Sequence, residues 1–175
     1  MRKSLIILFS LVFLILLSPS YGKVHYVAIE VREGNLFIEG QLINKQTPLE
    51  KYKEILGEPS RREIKANIIY TYDKLGLMIY QDPNTKNIDS LAIQLVKKDY
   101  SFSPKSVLCG IFIVQDKVFR VQTSQESLKK YDFLKFTPEE RSMRFPVTET
   151  KCGNLEIVYV FISNRNQLDE IGISW

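Results

Sequence analysis

Hydrophobic and polar positions divide the chain into an apolar leader and two stretches that repeat one order of elements. Leu5 to Leu17 is apolar except for Ser10. After it come two short hydrophobic strands, Leu36-Phe37-Ile38 and Leu42-Ile43, and then apolar residues at helical spacing: Leu49, Tyr52, Ile55 and Leu56. The second stretch has Ile111-Phe112-Ile113, then Val118-Phe119, then Leu128, Tyr131 and Leu134. Each stretch continues with hairpin-like strands and a closing segment of period two. The closing segments match best, Ile88-Asp89-Ser90-Leu91-Ala92-Ile93-Gln94-Leu95 against Leu168-Asp169-Glu170-Ile171-Gly172-Ile173-Ser174-Trp175.

Local signals agree with this order. Thr47-Pro48-Leu49-Glu50 and Thr123-Ser124-Gln125-Glu126 both fit the T-x-x-E capping box, in which Thr accepts from the N–H three residues on and Glu reaches back. Pro48 suits the first helical position, Gly57 closes the first helix, and Pro59 prevents its resumption. Turn formers precede the closing strands at Asp82-Pro83-Asn84 and Ser163-Asn164-Arg165-Asn166. The expectation is an α+β fold of two related units, each a mainly antiparallel sheet with one packed helix. Residues 23–98 form the first unit, 99–106 a linker and 107–175 the second. Units of this size are marginal alone, so the two are expected to pack together or share a sheet.

Residues 1–22 read as a signal peptide: Arg2 and Lys3, the apolar run, then Ser18, Pro19, Ser20, Tyr21 and Gly22, with cleavage after Gly22. The run covers about 20 Å as a helix, short of the roughly 30 Å hydrocarbon core, so retention as an anchor is the weaker alternative. No cysteine follows it to carry a lipid. The protein is therefore expected to be exported, periplasmic or secreted. The whole chain carries 24 Lys+Arg against 20 Asp+Glu, but loss of Arg2 and Lys3 leaves a net charge of only +2. That is too little for a nucleic-acid binder. One histidine and two cysteines argue against a zinc site. In an oxidising compartment Cys109 and Cys152 have one pairing open to them, a disulfide within the second unit.

Tyr52-Lys53-Glu54-Ile55-Leu56-Gly57-Glu58-Pro59-Ser60-Arg61, followed by Tyr70-Thr71-Tyr72-Asp73-Lys74-Leu75-Gly76-Leu77, resembles an uncharacterised domain of exported bacterial proteins. In that domain a helix ending in Leu-Gly-x-Pro runs into strands with a Tyr/Trp-Asp-x-x-Gly turn. More loosely it is similar to the SmpA/OmlA lipoproteins of outer-membrane assembly. The resemblance covers about residues 34–96, and the second unit lacks the Leu-Gly-Glu-Pro element. It implies an exported module that acts by contact, and it carries no catalytic residue across.

The remaining candidates for chemistry are weak. His25 has no partner that the sequence places beside it. Ser127-Leu128-Lys129-Lys130 fits S-x-x-K without the companion motifs of that enzyme class. Asp82 to Asp89 begins like a calcium loop, but Lys86 occupies a ligand position. Lys129, Lys130, Lys135, Arg141 and Arg144 form a basic stretch that Glu139 and Glu140 interrupt. Trp175 suits the end of an outer-membrane barrel, yet strands of five to eight residues and two helices argue for a paired strand instead. The reading is an exported non-catalytic binding protein that needs no cofactor or metal, with a protein partner of unknown identity. Peripheral contact with a membrane surface and the oligomeric state are open. The binding residues expected are Tyr70, Tyr72, Asp73 and Tyr80, as outward-facing aromatics beside a defined turn. The alternatives are an immunity-type inhibitor of a secreted toxin and a hydrolase whose site the sequence does not flag.

Overall fold

The computed structural model describes residues 26–120, 122–128, 130, 147–162 and 167–175. The leader at 1–22, His25, Tyr131, Leu134, the turn at 163–166, and Lys129, Lys135, Arg141 and Arg144 lie outside the described residues.

Strand β1 (Val27–Arg32) turns Val27, Ile29 and Val31 inward and Ala28, Glu30 and Arg32 outward. It continues into β2 (Asn35–Ile38) and β3 (Gln41–Ile43) through the turns Glu33-Gly34 and Glu39-Gly40. Both central residues of each turn have positive φ, the geometry that matches the twist of a two-residue hairpin. Helix α1 (Leu49–Leu56) leads into β4 (Arg61–Ile64), β5 (Ile68–Tyr72), β6 (Leu77–Gln81) and β7 (Ile88–Gln94). The second half supplies β8 (Gly110–Val114), β9 (Lys117–Phe119), helix α2 (Gln125–Leu128), β10 (Val147–Cys152), β11 (Leu155–Ile162) and β12 (Gln167–Ser174). The fold is mixed α+β with two mainly antiparallel sheets and few helices. The smaller sheet runs β3-β2-β1-β8-β9 and the larger β10-β11-β12-β7-β6-β5-β4. Only β1 and β8 pair in parallel among the described strands.

Helix α1 buries Leu49, Tyr52, Ile55 and Leu56, the four positions its spacing selects. Each fully buried apolar side chain contributes about 1.5–3 kcal/mol, which holds so short a helix on the sheets. Gly57 ends it at φ 84°, donating its N–H to Lys53 O at 2.8 Å. The start differs from the expected capping box. Pro48 is the N-cap, and Thr47 Oγ1 accepts from the N–H of Asn44 at 2.9 Å, three residues upstream. Thr123 Oγ1 likewise accepts from Arg120 N at 2.9 Å. Each Thr therefore closes the turn that delivers the chain to its helix.

The two halves share both sheets and one core. The inner faces of the two sheets, α1 and Leu128 bury into a single cluster. The expected linker at 99–106 is a packed strap. Its backbone carbonyls accept from Arg61 (at Ser103, 2.7 Å), Thr71 (at Phe102, 3.1 Å) and Gln94 (at Pro104, 3.0 Å). Phe102 and Tyr80 pack there on Ile69, Met78 and Ala92, on the outer face of the larger sheet. A second correction concerns strand alignment. The β2–β3 and β8–β9 registers match Leu36 with Phe112 and Ile38 with Val114, one residue from the alignment the apolar runs suggest. A slip of one exchanges the two faces of a strand, and burial of Phe112 and Val114 fixes the choice.

Candidate functional site

The hairpin β5–β6 follows the end of α1, and its turn spans Asp73 to Gly76. Leu75 and Gly76 both donate backbone N–H groups to Tyr72 O, at 3.0 and 3.1 Å. Gly76, at φ 71°, sits against the backbone of Val107 and Leu108 so closely that a Cβ would lie 2.3 Å from it. This contact seats the hairpin against the chain leaving the strap.

The four residues expected to bind a partner are not brought together on one surface. Tyr70 and Tyr72 face the core and are 7% and 2% exposed. Tyr70 donates its hydroxyl to Gln81 Oε1 at 3.0 Å. Tyr80 points to the opposite face, half-buried beside Phe102, with its hydroxyl on Met78 Sδ at 3.6 Å. Asp73 lies in the turn and is held by Arg61, with Nη2 to Oδ1 at 2.9 Å and Nε to Oδ2 at 3.2 Å. Lys105 N also donates to Oδ1 at 3.0 Å. Burial raises the Asp73 pKa, but the Arg61 and Lys105 hydrogen bonds and charges outweigh it, so the carboxyl titrates below its ordinary value. The expected outward aromatic surface is thus corrected: these tyrosines fill sheet faces, because period-two aromatics pack wherever a helix or strap covers them.

One of the four does line an opening. Leu56, Gly57, Glu58, Ser60, Tyr72, Lys74 and Leu75 enclose a cleft of about 200 Å³ between the end of α1 and the hairpin turn. Leu56 and Leu75 are its apolar walls, while Glu58 and Lys74 carry opposite charges at its rim. Glu58 pairs with Lys53 at 3.3 Å. Ser60 Oγ accepts from Asp73 N at 3.1 Å and keeps its own hydrogen to donate. The Tyr72 hydroxyl is buried without a hydrogen-bond partner. Burial first, then the charge of Glu58, pushes its pKa well above the usual range, so it stays protonated. The cleft therefore offers the Ser60 hydroxyl as a donor between apolar walls, which suits a small uncharged group bearing a hydrogen-bond acceptor. Glu58, Ser60, Lys74 and Leu75 were not singled out by sequence, although Glu58 and Ser60 flank Pro59 in the motif that ends the helix.

Other candidates resolve into local structure. Asp82 Oδ1 accepts from Asn84 N at 2.7 Å and Thr85 N at 2.8 Å, making a polar turn of the calcium-like segment. Ser127 Oγ donates to Ser124 O at 2.7 Å, which engages the S-x-x-K hydroxyl within its own helical turn. Trp175 is half-buried against the main core after the last strand. Cys109 and Cys152 are both free. Cys109 precedes β8, whereas Cys152 touches Gln115, just after β8, at 3.4 Å. The strand between them is about 17 Å long, and a disulfide needs Cα atoms within about 7 Å. The expected staple is therefore not formed. Among the described residues no three His, Cys, Asp or Glu side chains gather as a metal site, and no helix is long and apolar enough to cross a membrane.

No curated protein matches the sequence. Among solved structures, the chain is similar to a DUF4309 family protein (YjgB) from Bacillus subtilis, with 12% identity over 81% of this chain and 87% of that one, at a TM-score of 0.48. It is also similar to a cysteine-rich secretory protein (SAV1118) from Staphylococcus aureus, with 9% identity over 73% and 42% of the two chains and a TM-score of 0.44. An extracellular protein containing a SCP domain, from Bacillus anthracis, has 13% identity over 77% and 48%, at 0.45. The chain thus spans under half the length of these last two. A family model described as a domain of unknown function, DUF7738, matches residues 28–129, more than half of the sequence, and the chain belongs to that family.

Proposed function

We propose that the protein is an exported, non-catalytic binding module of two related units, and that a protein partner seats a short uncharged group in the cleft beside Tyr72. The observation that carries the binding reading is the cleft itself, which sets the Ser60 hydroxyl beside the apolar Leu56 and Leu75 and between the charges of Glu58 and Lys74. The leader-like pattern of residues 1–22 supports export.

Matching registers support the two-unit reading. Hairpins β2–β3 and β8–β9 share one pairing register at a spacing of 76, and the Asn44–Thr47 and Arg120–Thr123 turns share one hydrogen bond at the same spacing. Pairs β6–β7 and β11–β12 correspond at a spacing of 80, including a bulge after Tyr80 in one and after Val160 in the other. Ala92 pairs directly with Gly172, its counterpart at that spacing, as a two-fold relation between the units requires.

The test is affinity capture with the exported chain as bait, comparing wild type with Ser60→Ala and Glu58→Arg. Both changes leave the core filled, and circular dichroism checks the fold. Recovery of a specific partner is expected to fall about tenfold, the size of one hot-spot contact. Equal recovery by all three folded proteins overturns the cleft as the binding site.

A further inference from the structure

Three of the six large apolar side chains exposed among the described residues converge on one cavity at the end of the smaller sheet. They are Tyr26 just before β1, Val107 where the strap returns, and Val118 in β9, and they are 59%, 41% and 40% exposed. The cavity holds about 260 Å³, below the roughly 300–1,000 Å³ of sites for drug-sized molecules. Leu95 and Leu108 also line it and pack on the main core, so its walls belong to the fold. It shares no lining residue with the cleft beside Tyr72 and is independent of the proposed function.

Arg120, directly after β9, is the only charged residue among those that line the cavity, and Gln122 is the other polar one. No carboxylate of the described residues forms an ion pair with Arg120. The turn fixes where its side chain starts, because Arg120 N donates to Thr123 Oγ1 and Arg120 O accepts from Thr123 N, both at 2.9 Å. An arginine in such a place lays its methylenes on the apolar wall and keeps the guanidinium at the mouth, where it meets a carboxylate with two parallel hydrogen bonds. Backbone donors are scarce in the wall: Leu108 N is given to Gln94 O at 2.7 Å and Cys109 N to Leu75 O at 3.3 Å. A peptide has an amide to satisfy at every residue and finds few partners here, whereas an alkyl chain needs none. We propose that the cavity binds a free medium-chain fatty acid, with the alkyl chain between Tyr26, Val107 and Val118 and the carboxylate on Arg120.

The volume sets the chain length. A water molecule takes up about 30 Å³ of the liquid and a methylene group is of similar size, so 260 Å³ accepts about eight to ten carbons. Each buried methylene raises affinity about fourfold until the cavity is full. Affinity is therefore expected to climb from hexanoate to decanoate and then to level off. A detergent-like attraction to any apolar surface keeps climbing with chain length.

Isothermal titration of the exported chain with hexanoate, octanoate, decanoate and tetradecanoate, each below its micelle concentration, should give one saturable site with that limit. Arg120→Gln should lower decanoate affinity about tenfold and leave 1-decanol unaffected. Val107→Asp with Val118→Asp should abolish binding of both ligands, and both positions are exposed, so the fold is kept. Absence of a saturable decanoate site overturns the proposal, as does affinity that still climbs at tetradecanoate. Decanoate affinity unchanged by Arg120→Gln, or by the paired aspartates, overturns it too. Binding to phosphatidylglycerol vesicles without binding to decanoate also overturns it, because the exposed apolar residues are then a membrane contact and not the rim of a site.

Discussion

The two sheets finish their outer faces in opposite ways. The larger sheet is covered by its own chain: the strap brings Phe102 onto Ile69, Met78 and Ala92, and Arg61 ties Asp73 to the carbonyl of Ser103. Gln94 reinforces the strap by bonding the Pro104 carbonyl and the Ser103 hydroxyl. The smaller sheet leaves Leu42 and Val118 in the open. One face is therefore part of the folding unit, while the other is nearly free to change as far as the isolated chain is concerned.

Four substitutions press on this contrast. Gly76→Ala should cost most. It places a Cβ 2.3 Å from the backbone of Val107 and Leu108 at a positive φ, where the strap returns to the core. Strain and overpacking together should remove about 4 kcal/mol, read as a fall in Tm of about 10 °C. Arg61→Ala should cost about 2–3 kcal/mol by urea denaturation, because it strands a largely buried carboxylate and frees the strap's carbonyls. The same pair sets a pH dependence. Asp73 has a lowered pKa in the folded state, so its contribution is complete above the unfolded carboxylate pKa and is lost as pH falls through the folded value. Arg61→Ala should flatten that acid limb. Leu42→Thr and Val118→Thr should change the stability of the monomer by less than about 0.5 kcal/mol. A loss of several kcal/mol from either would erase the contrast.

Much of this architecture was legible in the residues. The stripe of α1, its stop at Gly57 and the two closing strands follow from periodicity and turn chemistry. Strand β1 was missed despite its alternating Val27, Ile29 and Val31, because the pattern that recurs along the sequence starts only at Leu36. The candidate site was legible in place but not in orientation. Tyr70 and Tyr72 stand at period two in β5, a pattern that reads the same whether a face meets water or a helix. All five residues of β5 are buried, since the strap covers one face and the core the other. What sequence could not supply was the strap, whose hold depends on backbone carbonyls at Ser101 to Pro104 that carry no side-chain signature.

The strand order also governs when the chain can fold. Val27 pairs with Gly110, and Ala92 with Gly172, so each sheet is joined across its middle by residues about 80 positions apart. Strand β12, the last in the sequence, lies inside the larger sheet between β11 and β7. Pairings of such long sequence separation form slowly, in milliseconds to seconds, after loop-closure entropy has been overcome. The larger sheet cannot complete itself until β12 has been made, whereas the smaller needs the chain only as far as Phe119. A growing chain therefore holds all five strands of the smaller sheet before β10, β11 and β12 exist, so the shared core is closed last, by a strand that inserts inside the larger sheet.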